Sequence, residues 1–309
     1  MKYILLISII SLIFSYPIFP TILTVSIPYR NKKSEGRVEN TFVRFLQASG
    51  ADLIVVHTWT DLKNIDHLLE NKVTGVIFQG IDTIDKTIDP YINILKYIQS
   101  KIISIYNSSK GKKKIPILAL GNDMTILGIL SSNKNDFSIS KVLVGPNKIK
   151  FNKDGMKSWI FTDLQNSDFT SLENENICSN YITNLIPKNL FENKLTNYFK
   201  IISTSLYENE EYVSIMESNL YPIIGMSFHP EHIVFEENKM FNVPDSLEAI
   251  KAARFIGNSF VNYGRVNSFN EMTIEEKKDN KGKFDFIDPY GPFPVDIYGR
   301  YQYLFKKGN

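Results

Sequence analysis

Between Thr21 and Leu130, short and nearly continuous apolar runs alternate with stretches in which apolar residues recur every three or four positions. The runs Thr21–Ile27, Asp52–His57, Val73–Phe78 and Ile115–Leu120 predict strands buried on both faces. The periodic stretches Val38–Ser49, Asp61–Glu70, Pro90–Ser104 and Met124–Leu130 predict amphipathic helices. In the first of these, Phe42, Phe45 and Leu46 share a face and Gly50 supplies a stop. Fully apolar strands separated by such helices imply a parallel sheet covered on both sides.

Beyond Leu130 the pattern changes. Lys141–Val144, Lys148–Phe151 and Ser158–Phe161 read as short antiparallel strands. Leu195–Ser205, Glu211–Glu217 and Tyr221–Phe228 also read as strands, and Pro244-Asp245-Ser246 caps a helix over Leu247–Tyr263. No internal repeat interrupts residues 21–265, so one α/β domain accounts for them. Residues 266–284 read as a charged mobile segment. Residues 285–309 read as a tail that packs back on the domain, with Tyr301–Phe305 as its terminal strand.

At the N-terminus, Met1-Lys2 precedes an apolar run from Tyr3 to Phe14 and a break at Ser15-Tyr16-Pro17, so residues 1–16 read as a secretory signal peptide. The run is shorter than the roughly 18 apolar residues expected of a membrane span, and no span is expected elsewhere. In that compartment Asn107-Ser108-Ser109 would be a glycosylation acceptor. The net charge of +2 over 309 residues gives no electrostatic case for nucleic acid or an anionic membrane. The basic cluster Lys110–Lys114 reads as a solvated loop. Cys178 is the one cysteine, so there is no intramolecular disulfide and no cysteine-based metal site; with four histidines, no metal and no cofactor are expected.

The segment most suggestive of chemistry is Tyr221–Glu231, where a strand delivers His229 and, across Pro230, Glu231. That spacing lets Glu231 hold one ring nitrogen while the other faces a cleft, the base and orienter of a nucleophilic triad. A bare His-Pro-Glu at a strand end is more often an ordinary surface arrangement, so the spacing alone does not decide.

Several segments together resemble the gamma-glutamyl hydrolase family of the class I glutamine amidotransferase-like superfamily. Tyr221-Pro222…Gly225…Ser227-Phe228-His229-Pro230-Glu231 is similar to its Y-P-x-x-G-x-Q-W-H-P-E pattern. Ser214-Ile215-Met216-Glu217 is similar to its S-T-M-E, Val73–Gly80 to its N-G-I-L-F-P-G-G strand, Thr41–Ala51 to its first helix, and Asp245–Asn262 to its long helix ending F-F-V-N. The resemblance implies a single-domain, three-layer α/β sandwich with a mostly parallel central sheet. It further implies thiol-dependent cleavage of gamma-glutamyl bonds in folyl polyglutamates, a small gamma-glutamyl or polyglutamate ligand, a secreted, lysosomal or vacuolar setting, and a homodimer.

The catalytic parts depart from the family pattern. Its P-x-W-G-T-C-L-G-F elbow, aligned on Pro116, places the nucleophilic cysteine at Gly121, with the flanking glycines becoming Ala119 and Asp123. The retained pair is His229 and Glu231. Gly80 and Asn122 are the expected backbone donors to a ligand oxygen, while Asp123 is expected to point elsewhere and Thr125 to lie on the helix. A histidine that the family carries near Asn180-Tyr181 is missing here. Glycine has no group with which to attack a carbonyl, and its neighbours have changed with it, which is the mark of drift after activity was lost. The alternatives are residual hydrolysis by His229 and Glu231 with water, substitution by Cys178, or a binding and scaffold role.

Overall fold

A computed structural model describes residues 20–29, 32–82, 84, 88–134, 136–153, 155–235, 242–268, 285–286 and 302–307. The expected signal peptide and nearly all of the charged segment lie outside these residues.

The chain opens with β1 (Thr21–Val25), β2 (Ile27–Tyr29), β3 (Lys32–Glu39), α1 (Asn40–Ala48), β4 (Asp52–Val56), α2 (Leu62–Asn71), β5 (Gly75–Phe78), α3 (Asp89–Ser108), β6 (Ile117–Leu120) and α4 (Asn122–Ser132). It continues with β7 (Ile139–Asn147), β8 (Lys150–Phe151), α5 (Asn166–Asn174), β9 (Cys178–Leu185), α6 (Lys188–Lys194), β10 (Phe199–Tyr207), β11 (Glu210–Ser218), β12 (Ile223–Met226), α7 (Pro230–Phe235), α8 (Leu247–Asn267), β13 (Asp285–Phe286) and β14 (Gln302–Lys306).

Among the described residues the main sheet runs β13-β4-β1-β5-β6-β12-β11-β10-β8. The pairs from β4 through β12 are parallel, and β11, β10, β8 and β13 add antiparallel flanks. Each central strand is wholly buried because helices cover both faces. Phe78, Tyr91, Leu95 and Ile98 pack on one side, and Phe42, Phe45, Ile256 and Phe260 on the other. This is the expected α/β sandwich with a class I glutamine amidotransferase-like layout. Local chemistry sets the helix starts: the Asp61 side chain accepts from Lys63 N–H at α2, and that of Ser246 from Ala249 N–H at α8.

Three expectations are corrected. The helix drawn over Val38–Ser49 begins at Asn40, because Val38 belongs to β3, where it pairs with Tyr303 of β14. Ser158–Phe161 is a succession of turns, with Ser158 N–H bonded to Gly155 O and Phe161 N–H to Ser158 O; this buries Ile160 and Phe161 without a strand. The strand over Leu195–Ser205 starts at Phe199 because α6 precedes it, ending at Lys194 with Leu195 as its cap. β9 was not anticipated; it pairs with β7 in a separate ribbon that reaches the main sheet where Asn180 bridges to Phe228, just beyond β12.

Candidate functional site

β6 and β12 are parallel neighbours, with Leu120 beside Met226. Their C-terminal ends therefore bring the turn at Gly121 next to the segment Ser227–Glu231, where ligands gather in sheets of this kind. Gly121 stands at the strand–helix turn with φ 52° and ψ −130°, a conformation that costs little for glycine and much for a residue with a β-carbon. Gly225 lets β12 approach α4, since a β-carbon there would lie 2.5 Å from Met124 Cγ.

His229 is fixed on every side. Its backbone N–H donates to Ser179 O of β9 at 2.7 Å. Its Nδ1 lies 2.7 Å from Glu231 Oε1, and its ring stacks on that of His232 with centroids 4.7 Å apart. The opposite ring edge fills the slot between two glycines. A β-carbon on Gly121 would fall 2.4 Å from His229 Nε2, and one on Gly80 would fall 2.7 Å from His229 Cε1. The imidazole thus occupies the space that a side chain at the turn would need.

Gly80 N–H is the donor expected to face a ligand oxygen. Here it donates to Asp123 Oδ2 at 3.0 Å, and the Tyr91 hydroxyl donates to the same oxygen at 2.7 Å. Two expectations are corrected together. Gly80's donor is consumed within the chain, and Asp123 points into the donor site rather than away from it. The first turn of α4 carries Asp123 back over the end of β5, which is how the carboxylate gets there. Asp123 is fully buried, its Oδ1 has no hydrogen-bond partner among the described residues, and burial pushes its carboxyl up to about 7. Burial and the adjacent Asp123 in turn raise the Tyr91 hydroxyl well above its ordinary value.

Asn122 is also buried, and its side chain is structural. Its amide nitrogen donates to Ile81 O (2.8 Å), Asp82 O (3.0 Å) and Thr183 Oγ1 (3.0 Å), and its oxygen accepts from Thr183 and Asn184 N–H, both at 3.0 Å. It ties the loop after β5 to β9. Thr125 donates to Asn184 O and serves the same seam. Cys178 is 1% exposed at the start of β9, and burial raises its thiol far above the ordinary range, so the reactive thiolate is disfavoured. Asn107 is exposed near the end of α3.

A chain of charged groups backs His229. Asp82 pairs with Arg37, which lies 3.8 Å from Glu39, and Glu39 Oε2 lies 3.5 Å from His232 Nε2. Donor atoms of His229, Glu231 and His232 fall within 4.8 Å of one another. The two rings are nevertheless only 10° from parallel and stacked face to face. Lone pairs lying in two stacked planes cannot converge on one ion, so the trio is a hydrogen-bonded stack rather than a metal cradle.

The sequence reading missed Tyr91, Arg37, Glu39 and His232 as parts of this site, and it misdirected Asp123. An acid in the first turn of a helix beside a free backbone donor was a usable signal for Asp123. The other four carry no local pattern.

No family model matches the chain. A gamma-glutamyl hydrolase of Rattus norvegicus is 25% identical over 254 residues, covering 80% of this chain and 78% of the relative. One of Homo sapiens is 26% identical over 257 residues, covering 80% and 79%. The chain is a relative of the gamma-glutamyl hydrolases. Its fold matches a solved structure from Thermoplasma acidophilum, named for the GMP synthase glutamine amidotransferase component, with TM-score 0.50 and 15% identity over 81% of this chain and 96% of that one. No helix among the described residues is long and apolar enough to cross a membrane.

Proposed function

We propose that this chain is a gamma-glutamyl hydrolase-like pseudoenzyme: it keeps the family's sandwich and its His229–Glu231 pair but lacks thiol-dependent cleavage, and acts by binding gamma-glutamyl or related carboxylate compounds, folyl polyglutamates among them. The observation that carries this reading is the turn itself. Gly121 offers no attacking atom, and His229 Nε2 sits 2.4 Å from where a β-carbon would be. The Asp123 carboxylate on Gly80 N–H supports it further, because a tetrahedral oxyanion would meet a negative group where it needs a donor. The N-terminal pattern favours a secreted, lysosomal or vacuolar setting, with Asn107 as a glycosylation site and a homodimer as the assembly.

A second reading keeps hydrolysis. The 2.7 Å contact between His229 Nδ1 and Glu231 Oε1 is the arrangement that lets an imidazole take a proton from water. Cys178 is a weaker substitute because its thiol is buried and hard to ionise. Purified protein assayed on a gamma-glutamyl peptide separates these readings. The binding reading expects no turnover. Turnover that survives Cys178→Ala and disappears with His229→Ala would establish the water mechanism instead.

A further inference from the structure

The cradle made by Gly80 N–H and the Tyr91 hydroxyl binds a carboxylate already, and that carboxylate belongs to the protein. We propose that Asp123 is a displaceable internal occupant of this cradle, so that an external carboxylate enters only when Asp123 has taken up a proton, which makes the site an acid-opened carboxylate receptor. The inference rests on the binding role proposed above and adds its regulation.

The geometry favours displacement over a permanent lock. Asp123 holds the cradle with one oxygen, while Oδ1 is buried without a partner among the described residues, so half of its hydrogen-bonding capacity is unused. Hydrogen bonds to an ionised acceptor are roughly twice as strong as those to a neutral one. Protonation therefore loosens the Gly80 and Tyr91 contacts, and it also removes the charge that would repel an incoming anion. The carboxyl's elevation to about 7 places that change within reach of a mildly acidic compartment.

The other ionisable groups around the cradle are few. Tyr91 comes from α3, and His229 and Glu231 stand across Gly80 from the β12–α7 side. Asp82, paired with Arg37 of β3, lies beyond Asn122. From β9 only the neutral Thr183 and Asn184 approach. Among these, His229 is the group whose own titration could imitate an acid-dependent effect, so the test must remove Asp123's charge and leave His229 in place.

The probe is γ-glutamylglutamate, titrated calorimetrically into the full chain at pH 5 and pH 8. Wild type is expected to bind at least about tenfold more tightly at pH 5, a difference of about 1.4 kcal/mol. Asp123→Asn, which is isosteric and always neutral, is expected to bind equally at both pH values. Tyr91→Phe removes one of the two donors that hold Asp123 and is expected to raise affinity at pH 8, which keeps the test open should the first variant not fold. A pH dependence that persists in Asp123→Asn, or equal wild-type binding at both pH values, overturns the inference and leaves the binding role standing. Absence of binding by all three proteins at both pH values removes the binding role and the inference with it.

Discussion

The two halves of the site have diverged in opposite ways. On the His229 side, ionisable groups remain linked in a chain from Asp82 through Arg37, Glu39 and His232 to Glu231, close to what a hydrolytic centre would use. On the Gly121 side the polar groups have been turned inward: Asn122 knits the loop after β5 to β9, and Asp123 fills the Gly80 donor. One half still has the arrangement of a catalyst, while the other has become core. A nucleophile can be lost in one step, but its removal leaves a slot, and the slot is filled here by the residues nearest to it.

If the elbow half is now core, its charge should destabilise the fold. Asp123 is ordinary near 3.8 when unfolded and lies at about 7 in place. A group raised in the folded state contributes stability that is fully present below the unfolded value and is lost as pH rises through the folded one. The expected loss between pH 4 and 7 is on the order of 4 kcal/mol, read as the change in denaturant midpoint with pH. Asp123→Asn should flatten that slope, and a slope unchanged by the substitution would mean the carboxylate is better solvated than its burial implies. Next in size, Asn122→Ala should cost about 3 kcal/mol, because it strands the Thr183 and Asn184 N–H groups in the interior. A cost below about 1 kcal/mol would show that the elbow half is not knitted as described.

The alternation of apolar runs and amphipathic helices was enough for the sheet and its covering layers, because burial on both faces writes a long, redundant signal into β1, β4, β5 and β6. It failed where pairing is non-local: Val38 looked helical until β14 supplied a partner, and the Ser158–Phe161 run was apolar because its turns are buried. Within the site, the juxtaposition of His229 and Glu231 could be read from two residues of spacing. The closure of the elbow could not, since Tyr91, Gly80 and Asp123 meet only through the packing of α3 against α4. Spacing reveals groups that cooperate along the chain and says little about a group that folds back into a neighbour's place.

Gly121→Ala tests the boundary between the halves. The added β-carbon would meet a ring held by Glu231 and His232, and its backbone would keep φ near 52°. Overpacking and strain together predict a loss of about 2 kcal/mol, measurable by equilibrium unfolding. Pairing the substitution with His229→Ala should recover most of it, because the obstructing ring is gone. An unrecovered loss would assign the whole cost to the backbone and remove His229 from the slot.

The smallest expected effect lies in the half that still resembles a catalyst. Glu231→Gln keeps an acceptor for His229 Nδ1–H and deletes one buried anion whose second oxygen has no partner among the described residues. Losing a charge-assisted bond and relieving an unsatisfied buried charge have opposite signs, so stability should change by less than about 1 kcal/mol. A hydrolase built on this pair would respond differently, since an amide holds the ring in place but cannot stabilise the imidazolium that forms when His229 takes a proton. Near-neutral stability with no activity to lose would mark the pair as a remnant tolerated by the fold. A stability loss above about 3 kcal/mol would mean that the carboxylate is as deeply committed to structure as Asn122, and the two halves would no longer differ.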